Sequence, residues 1–521
     1  MGISTRVTLP LLAVLGSAAA FGQIPYPNPI NHVVIIYQEN RTVDNLFGSN
    51  APTNQYYLPG LEVSRAGLAH VMVDGKKNAF NVQSVAIPLA SKLGTAGSIE
   101  ADGYDLDHSH VPAFVNACDA PAITDPSTNC AMDGFNRVRV ICDKGATGCP
   151  GPAYPAYAYV QYKDVAPYFQ IASRYGYANY MFQTNQGPSF PAHQFIFGGT
   201  SQSGLSPEPT WFGDENGINV RSADLAPANG CIAPANATTK LLNPFTQDET
   251  FVYPCFTHRT MVDLFAEHSP QITWTYYSPG QGSLWTAPDA ISTICNNIDG
   301  KCTGMYWSPC TSGLNGCIDT NNPADVLTDI GKCKLRQVNW VIPDALASDH
   351  AGATDASGPS WVASIINEIG NSPCTDVVNG KTRTYWEDTV ILITWDDWGG
   401  WYDHVVPPPL SLRAPAVASS YVYGFRVPLL VVSAYTPAGT VNNTVGLDFG
   451  AMLKFIEEVF GGLGTISDDP SNPYADYYAK DDLHGFFQFT KPPRLFEPIE
   501  APLKKATFLN PNRPHDDPDD D

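Results

Sequence analysis

Glu39-Asn40 and Asp396-Asp397 are the residue pairs of this chain best suited to chemistry. They offer carboxylates and one neutral amide oxygen, the hard donors that hold a divalent cation such as calcium, magnesium or manganese. Each pair follows an apolar, β-branched run. His32-Val33-Val34-Ile35-Ile36-Tyr37 leads into Gln38-Glu39-Asn40-Arg41-Thr42, and Thr389-Val390-Ile391-Leu392-Ile393 leads into Thr394-Trp395-Asp396-Asp397-Trp398-Gly399-Gly400-Trp401-Tyr402-Asp403-His404. Such runs read as buried strands, and an α/β sheet presents its ligands just beyond strand ends. Taken singly, Glu39 could cap a helix starting near Thr42, and Asp396 and Asp397 could lie in a turn. Two strands with the same ending point instead to one shared cation site.

A candidate nucleophile stands in Gln186-Gly187-Pro188-Ser189-Phe190-Pro191-Ala192-His193-Gln194. Gly-Pro before Ser189 and Pro191 after it imply a tight turn that exposes the hydroxyl. A serine becomes a nucleophile when a base or a metal lowers the cost of its alkoxide. Alone, a serine between prolines is more often a plain loop residue, and His193 is as well explained by structure as by catalysis. His108 and His110 in Asp105-Leu106-Asp107-His108-Ser109-His110, and His350 in Ala347-Ser348-Asp349-His350, sit in polar surroundings. Imidazoles beside a phosphate can donate to its oxygens or protonate a leaving group, although loop histidines are common.

The elements that must position these residues alternate. Strands are expected at 33–37, 71–73, 271–276, 338–342, 390–394 and 428–432, and helices at 163–174, 260–267, 360–368 and 449–460. In the last helix Met452, Phe455, Ile456, Val459 and Phe460 recur at helical spacing before Gly461-Gly462, the pattern of a helix that only packs. The alternation implies an α/β fold, a three-layer α/β/α sandwich. Residues 201–334 turn rich in Gly, Pro, Asn and Cys and read as loop-rich insertions or a cap within a catalytic domain spanning 23–505. Residues 1–22, with Arg6, an apolar stretch from Leu9 to Leu15 and Ser17-Ala18-Ala19-Ala20, read as a secretory signal peptide. No other stretch approaches the ~20 apolar residues of a membrane span, so a secreted or periplasmic protein without a transmembrane segment is expected.

Twelve cysteines suit that compartment and imply disulfides. Cys295, Cys302, Cys310 and Cys317 cluster as if stapling a loop, with the pairing left open. A net charge of −22 excludes nucleic acid and anionic membranes as electrostatic partners. Part of that charge lies in residues 506–521, expected to be an acidic disordered tail. Oligomeric state is not legible.

The run from His32 to Gly48, continuing Thr42-Val43-Asp44-Asn45-Leu46-Phe47-Gly48, resembles the opening motif of the bacterial phosphoesterase family. That family holds non-haemolytic-type phospholipases C and secreted acid phosphatases, within the alkaline phosphatase-like superfamily. The run from Thr394 through His404-Val405-Val406-Pro407-Pro408 resembles its second hallmark, and segments near 105–110, 132–135, 187–193, 340–350 and 449–461 fall in the family's order. The resemblance implies one divalent ion, with zinc added to the candidates. Glu39, Asn40, Asp396 and Asp397 would hold it, together with Ser189. It also implies Ser189 as nucleophile with a phosphoseryl intermediate, and His108, His350 and His404 on the phosphoryl oxygens or the leaving group.

One departure bears on substrate. Where the phospholipase branch reads Gly-Pro-Thr and then Pro-Asn-Arg, this chain has Ser189 for Thr and His193 for Arg. With the absence of C-terminal β-domains, this favours an acid phosphatase of broad monoester specificity. A phospholipase C cleaving phosphatidylcholine-like diesters is the alternative, so the partner is a small phosphate ester or a phospholipid. Trp398, Trp401 and Tyr402 could line a choline or nucleoside pocket, with packing the better reading. No formylglycine signature supports a sulfatase. A catalytically silent surface or binding protein is disfavoured because Glu39, Asn40, Ser189, Asp396 and Asp397 are all present.

Overall fold

The computed structural model describes residues 24–90, 104–119, 130–141, 151–216, 229–243, 246, 248–307, 310, 313–408 and 421–514. The expected signal peptide and residues 515–521 of the tail lie outside them. Among the described residues the central sheet has eight strands: β1 (His32–Gln38), β2 (Gly176–Ala178), β3 (Trp274–Tyr277), β4 (Gly316–Asp319), β5 (Val338–Val341), β6 (Thr389–Trp395), β7 (Leu429–Ser433) and β8 (Thr440–Asn442). Their order is β4-β3-β5-β1-β6-β7-β2-β8. Every neighbouring pair is parallel except the two made by β7, which runs against β6 and β2.

The central strands β1 and β6 are apolar on both faces and fully buried, as a sheet covered on both sides requires. The register shows which face each side chain takes. Ile35 lies opposite Trp340, and Trp340 opposite Tyr276, so with Tyr37 two residues on they share one face. Phe197 of helix Ser189–Gly198 packs there, with ring centroids 5.5 Å from Tyr276 and 5.3 Å from Trp340. Phe265 of helix Met261–Glu267 meets Trp340 from the same side. Trp395 pairs with Gln38, so it points the other way. There it meets Tyr168 of helix Tyr162–Arg174 at 5.1 Å, a helix that also packs on helix Gly358–Gly370. The layers are therefore helix, sheet and helix, an α/β sandwich.

The strand expected at 71–73 is found as the end of Ala66–Val73, in a hairpin with Lys76–Gln83 apart from the central sheet. Two expectations are corrected. The region 201–334 is more than a cap: it supplies β3, β4 and helices Met261–Glu267 and Asp325–Gly331. Of these strands β3 falls at the strand expected at 271–276, whereas β4, four residues beside the Cys310–Cys317 staple, is too short for a periodic signal. Residues 506–513 are not a solvated tail, because helix Lys505–Phe508 buries Phe508 against Trp361 and Arg513 donates to Ser357 at 2.7 Å. One aromatic side chain outweighs the acidic composition that follows it.

Five disulfides are described, Cys118–Cys130, Cys231–Cys255, Cys295–Cys302, Cys310–Cys317 and Cys333–Cys374. Cys142 and Cys149 lie outside the described residues. The four clustered cysteines pair as sequence neighbours and do staple local loops.

Candidate active site

Strands β1 and β6 run in parallel and in step, Tyr37 beside Thr394 and Gln38 beside Trp395. Their next residues therefore emerge together. Asp396 N donates to Gln38 O at 3.1 Å and Asn40 N to Asp396 Oδ1 at 3.1 Å, which ties the two exits. The approach is close enough to need glycine: Gly399 has φ +59° and a Cβ there would lie 2.2 Å from Asn40 O. Asn40 itself holds φ 59°, a left-handed conformation that asparagine tolerates better than most residues.

Ser189 comes from the opposite layer, at the first position of helix Ser189–Gly198. The Gly-Pro-Ser-Phe-Pro segment that suggests a turn is in fact a helix start. Pro191 falls in the first turn, where the backbone N–H has no intrahelical acceptor to lose. Ser189 Oγ donates toward Asp397 Oδ2 at 3.4 Å and Glu39 Oε2 at 3.5 Å. Four residues later on the same face, His193 Nε2 lies 3.1 Å from Glu39 Oε1 and 3.8 Å from Asp396 Oδ2. His193 thus stands behind the carboxylates, fully buried. Its helical spacing from Ser189 was the available signal, hidden while the segment read as a turn.

His108 and His350 close the other side, their rings 5.9 Å apart. His108 Nδ1 is 2.8 Å from Leu106 O and His350 Nδ1 is 2.6 Å from Ala351 O. A carbonyl can only accept, so each Nδ1 carries the proton and each neutral ring presents a lone pair at Nε2. Burial pushes the His350 imidazole down to about 4, so that ring is neutral above acid pH. One end of the Asn40 amide lies 3.2 Å from His108 Nε2 and 2.8 Å from His350 Nε2. Two lone pairs require the NH2 at that end. The amide oxygen then faces Glu39 Oε2 at 3.1 Å and Asp396 Oδ1 at 2.9 Å. Swapping the amide would satisfy those carboxylates but would set its oxygen against the two lone pairs, and we reject it on that ground.

The result is a knot of buried oxygens with few donors, Asn40 N, Gly399 N and Ser189 Oγ among them. Asp396 Oδ2 has no hydrogen-bond partner. Burial first, and then the neighbouring Asp396, pushes the carboxyls of Glu39 and Asp397 well above their ordinary range. Like charges so placed are what a cation balances. The donor set of Glu39, Asn40, Asp396 and Asp397 therefore fits a divalent ion, and His193 offers a nitrogen: ligand atoms of Glu39, His193 and Asp396 lie within 4.8 Å of one another.

The remaining candidates are elsewhere. His404, expected on the phosphoryl group, makes its ring contacts with Asp44 Oδ2 at 2.7 Å and Glu62 Oε1 at 3.4 Å. Its neighbour Asp403 accepts from Nε and Nη2 along one edge of the buried Arg426 guanidinium. That acidic pocket holds the imidazole instead of the Ser189 cluster. His110 is paired with Asp214 at 2.5 Å. Trp398, Trp401 and Tyr402 are packing residues, buried among Phe114, Phe135, Tyr157 and Phe425. Two supports were not foreseen. Arg41 donates to Asp349 O at 2.7 Å and lies over the Trp401 ring, while Asp349 Oδ2 accepts from Tyr168 and Trp395. They fix the backbone that carries His350.

Residues 30–463 match the Phosphoesterase family. Phospholipase C A of Mycobacterium tuberculosis is 22% identical over 98% of this chain and 91% of its own length. The non-hemolytic phospholipase C of Pseudomonas aeruginosa is 24% identical over 83% of this chain and 54% of its own. A solved alkaline phosphatase superfamily protein from Vibrio parahaemolyticus, 12% identical over 64% of this chain and 65% of that one, superposes with a TM-score of only 0.31, and no argument rests on it. The chain belongs to the phosphoesterase family and is a hydrolase of phosphoric esters.

Proposed function

We propose that the ester is cleaved by transfer of its phosphoryl group to Ser189, beside one divalent ion held by Glu39, Asn40, Asp396 and Asp397 and touched by Ser189. The observation that carries this is the Asn40 amide, whose oxygen is turned by two histidine lone pairs onto Glu39 and Asp396. Oxygen donors suit calcium, magnesium or manganese, and the nearby His193 admits zinc. When bound, such an ion neutralises the carboxylates, polarises a phosphoryl oxygen and stabilises the seryl alkoxide. Ser189 Oγ bonds to phosphorus as the ester P–O bond breaks, and water later cleaves the phosphoserine.

The same tautomers limit what the two histidines do. With Nδ1–H committed to a carbonyl and Nε2 turned to the Asn40 NH2, His108 and His350 orient the amide rather than donate to phosphoryl oxygens. An acid phosphatase acting on monoesters is favoured by Ser189, which stands where the phospholipase branch has Thr. The phospholipase C reading is favoured by the names of the relatives. Two sequence arguments against it lose force. The Mycobacterium relative is matched over 91% of its length, so size does not separate the readings. His193 faces the carboxylates rather than a head-group pocket.

The test is turnover of p-nitrophenyl phosphate beside p-nitrophenylphosphorylcholine, from acid to alkaline pH, by wild type and Ser189→Ala, with and without chelator. Monoester turnover that falls as pH rises, and is lost in the variant and with chelator, is the expected result. Preference for the choline diester would assign phospholipase C. No turnover of either ester would sink the proposal.

A further inference from the structure

The segment Asp214-Glu215-Asn216 has no part in the catalytic reading, yet it touches the helix that carries Ser189 and the loop that carries His108. It follows the edge strand Phe212–Gly213 of a three-stranded sheet completed by Thr239–Leu242 and Glu249–Val252, in the Cys-rich region. Phe212 fastens that sheet to the Ser189 helix, its ring stacked on Phe195 with centroids 6.2 Å apart. The neighbouring strand pins the segment itself. Asp214 N donates to Lys240 O at 3.0 Å, and Thr239 Oγ1 donates to Glu215 O at 2.8 Å. Its backbone is thus fixed apart from any contact its side chains make.

On one side the segment meets the start of the Ser189 helix. Asn216 Oδ1 accepts from Phe190 N at 2.9 Å. That N–H is an orphan donor of the first turn, and Pro188, just before the helix, has no side-chain acceptor to cap it. Asp214 O presses on Gly187, where a Cβ would lie 2.2 Å from it, so the chain two residues before Ser189 is held too. On the other side the segment meets the loop from His108 to Val111. Asp214 Oδ1 lies 2.5 Å from His110 Nδ1, both residues buried. Glu215 accepts from Val111 N at 2.9 Å and from His110 N at 3.3 Å. His108, two residues before His110, is a ring whose Nε2 takes the Asn40 NH2. A segment that served only its own loop would turn these side chains inward or to water. All three reach the segments that carry Ser189 and His108.

We propose that Asp214-Glu215-Asn216 is a positioning strap that sets Ser189 in register with the cation site. Asn216 acts through the helix that bears the nucleophile, and Asp214 and Glu215 act through the loop that aims the Asn40 amide. None of the three is placed on the phosphoryl group. The inference rests on Ser189 as nucleophile. A nucleophile displaced by about 1 Å costs about 100-fold in rate, whereas losing a support behind a metal ligand costs about 10–100-fold in metal affinity. The two halves of the strap therefore give different defects when broken, which a merely structural loop would not.

The test uses the full chain and p-nitrophenyl phosphate, with titration of the divalent ion that best restores turnover after chelation. Asn216→Ala is expected to lower kcat at saturating metal about 10–100-fold, with KM, metal affinity and melting temperature little changed. Asn216→Asp, which keeps an acceptor for Phe190 N, is expected to recover most of that loss. Glu215→Ala is expected to show the opposite defect, metal affinity about tenfold weaker with a smaller change in kcat at saturating metal. Asn216→Ala with wild-type kcat, or with a loss that only follows its melting temperature, overturns the inference. So does Asn216→Asp without recovery, or Glu215→Ala with wild-type metal affinity. Should Asn216→Ala fail to fold, the metal affinity and saturated kcat of Glu215→Ala decide. Wild type without turnover, or Ser189→Ala with full turnover, would sink the proposed function and the strap with it. That outcome is distinct from an active, Ser189-dependent wild type that tolerates Asn216→Ala, which sinks the strap alone.

Discussion

At their C-terminal ends β1 and β6 release Glu39, Asn40, Asp396 and Asp397; at their N-terminal ends the same strands begin beside His32, Asp376 and Asp388. Both ends gather carboxylates and a histidine, all buried except the partly exposed Asp376. At the N-terminal end the chain supplies its own compensation. His32 Nδ1 meets Arg336 O at 2.8 Å and Nε2 meets Asp376 Oδ2 at 2.7 Å, and that bond, more than any other cause, holds Asp376 below its usual range. Asp388, whose oxygens find no partner, is pushed up to about 7 by burial and stays protonated in acid. At the C-terminal end the same devices, His193 beside Glu39 and raised Glu39 and Asp397 carboxyls, face three crowded carboxyl groups and leave Asp396 Oδ2 without a partner. Histidine lone pairs turn an amide oxygen toward carboxylates instead of away from them. A buried cluster balanced by protons and partners is structural; one left unbalanced in the same fold calls for a ligand.

The comparison breaks first at Ser189. Ser189→Ala is expected to lower phosphate ester turnover at least about a thousandfold with little change in melting temperature, and a variant that keeps activity would remove the nucleophile from the argument. Next, a chelator is expected to lower the melting temperature of wild type, since a ligand at a hundred times its Kd adds about 2.7 kcal/mol of stability. Asp396→Asn should lose that response, while Asp376→Asn at the opposite end should keep it. A chelator without effect on wild type would erase the distinction between the ends.

His350→Ala, which frees the Asn40 amide to turn, is expected to cost about 10–100-fold, read as weaker metal affinity. His193→Ala, which removes a support behind the carboxylates, should cost about 10–100-fold, read most clearly as weaker metal affinity. The smallest effect sharpens the comparison from the other side. The Asp388 carboxyl has its folded value raised to about 7 from 3.8, so its contribution to stability is complete below about pH 4 and is lost as pH rises to 7. Asp388→Asn should therefore melt like wild type at low pH and above it near neutrality, with unchanged ester turnover. A variant equally destabilised at both pH values would show that packing, not titration, sets the role of Asp388.

The two hallmark segments were legible because β1 and β6 are long, apolar and buried on both faces, so their ends announced themselves and the candidate ligands sat directly beyond. Four of the expected helices were found within two residues of their expected ends because their apolar residues recur at helical spacing. The short strands β2, β4 and β8 carry no such pattern, and helix Ser189–Gly198 was masked by prolines that stand where a helix tolerates them. His404 lies in the strongest motif of the chain and still points into the pocket of Asp44.

Sequence alone thus determined which atoms were offered: oxygen donors after two buried strands, a serine, and a set of imidazoles. Tertiary structure decided which of them meet, because parallel register sets two strand ends side by side and a helix from the opposite layer brings Ser189 and His193 beneath them. It also decided which histidines lie beside the carboxylates and in which tautomer, since a tautomer is fixed by the carbonyl beside the ring, and no spacing in the chain reports that contact.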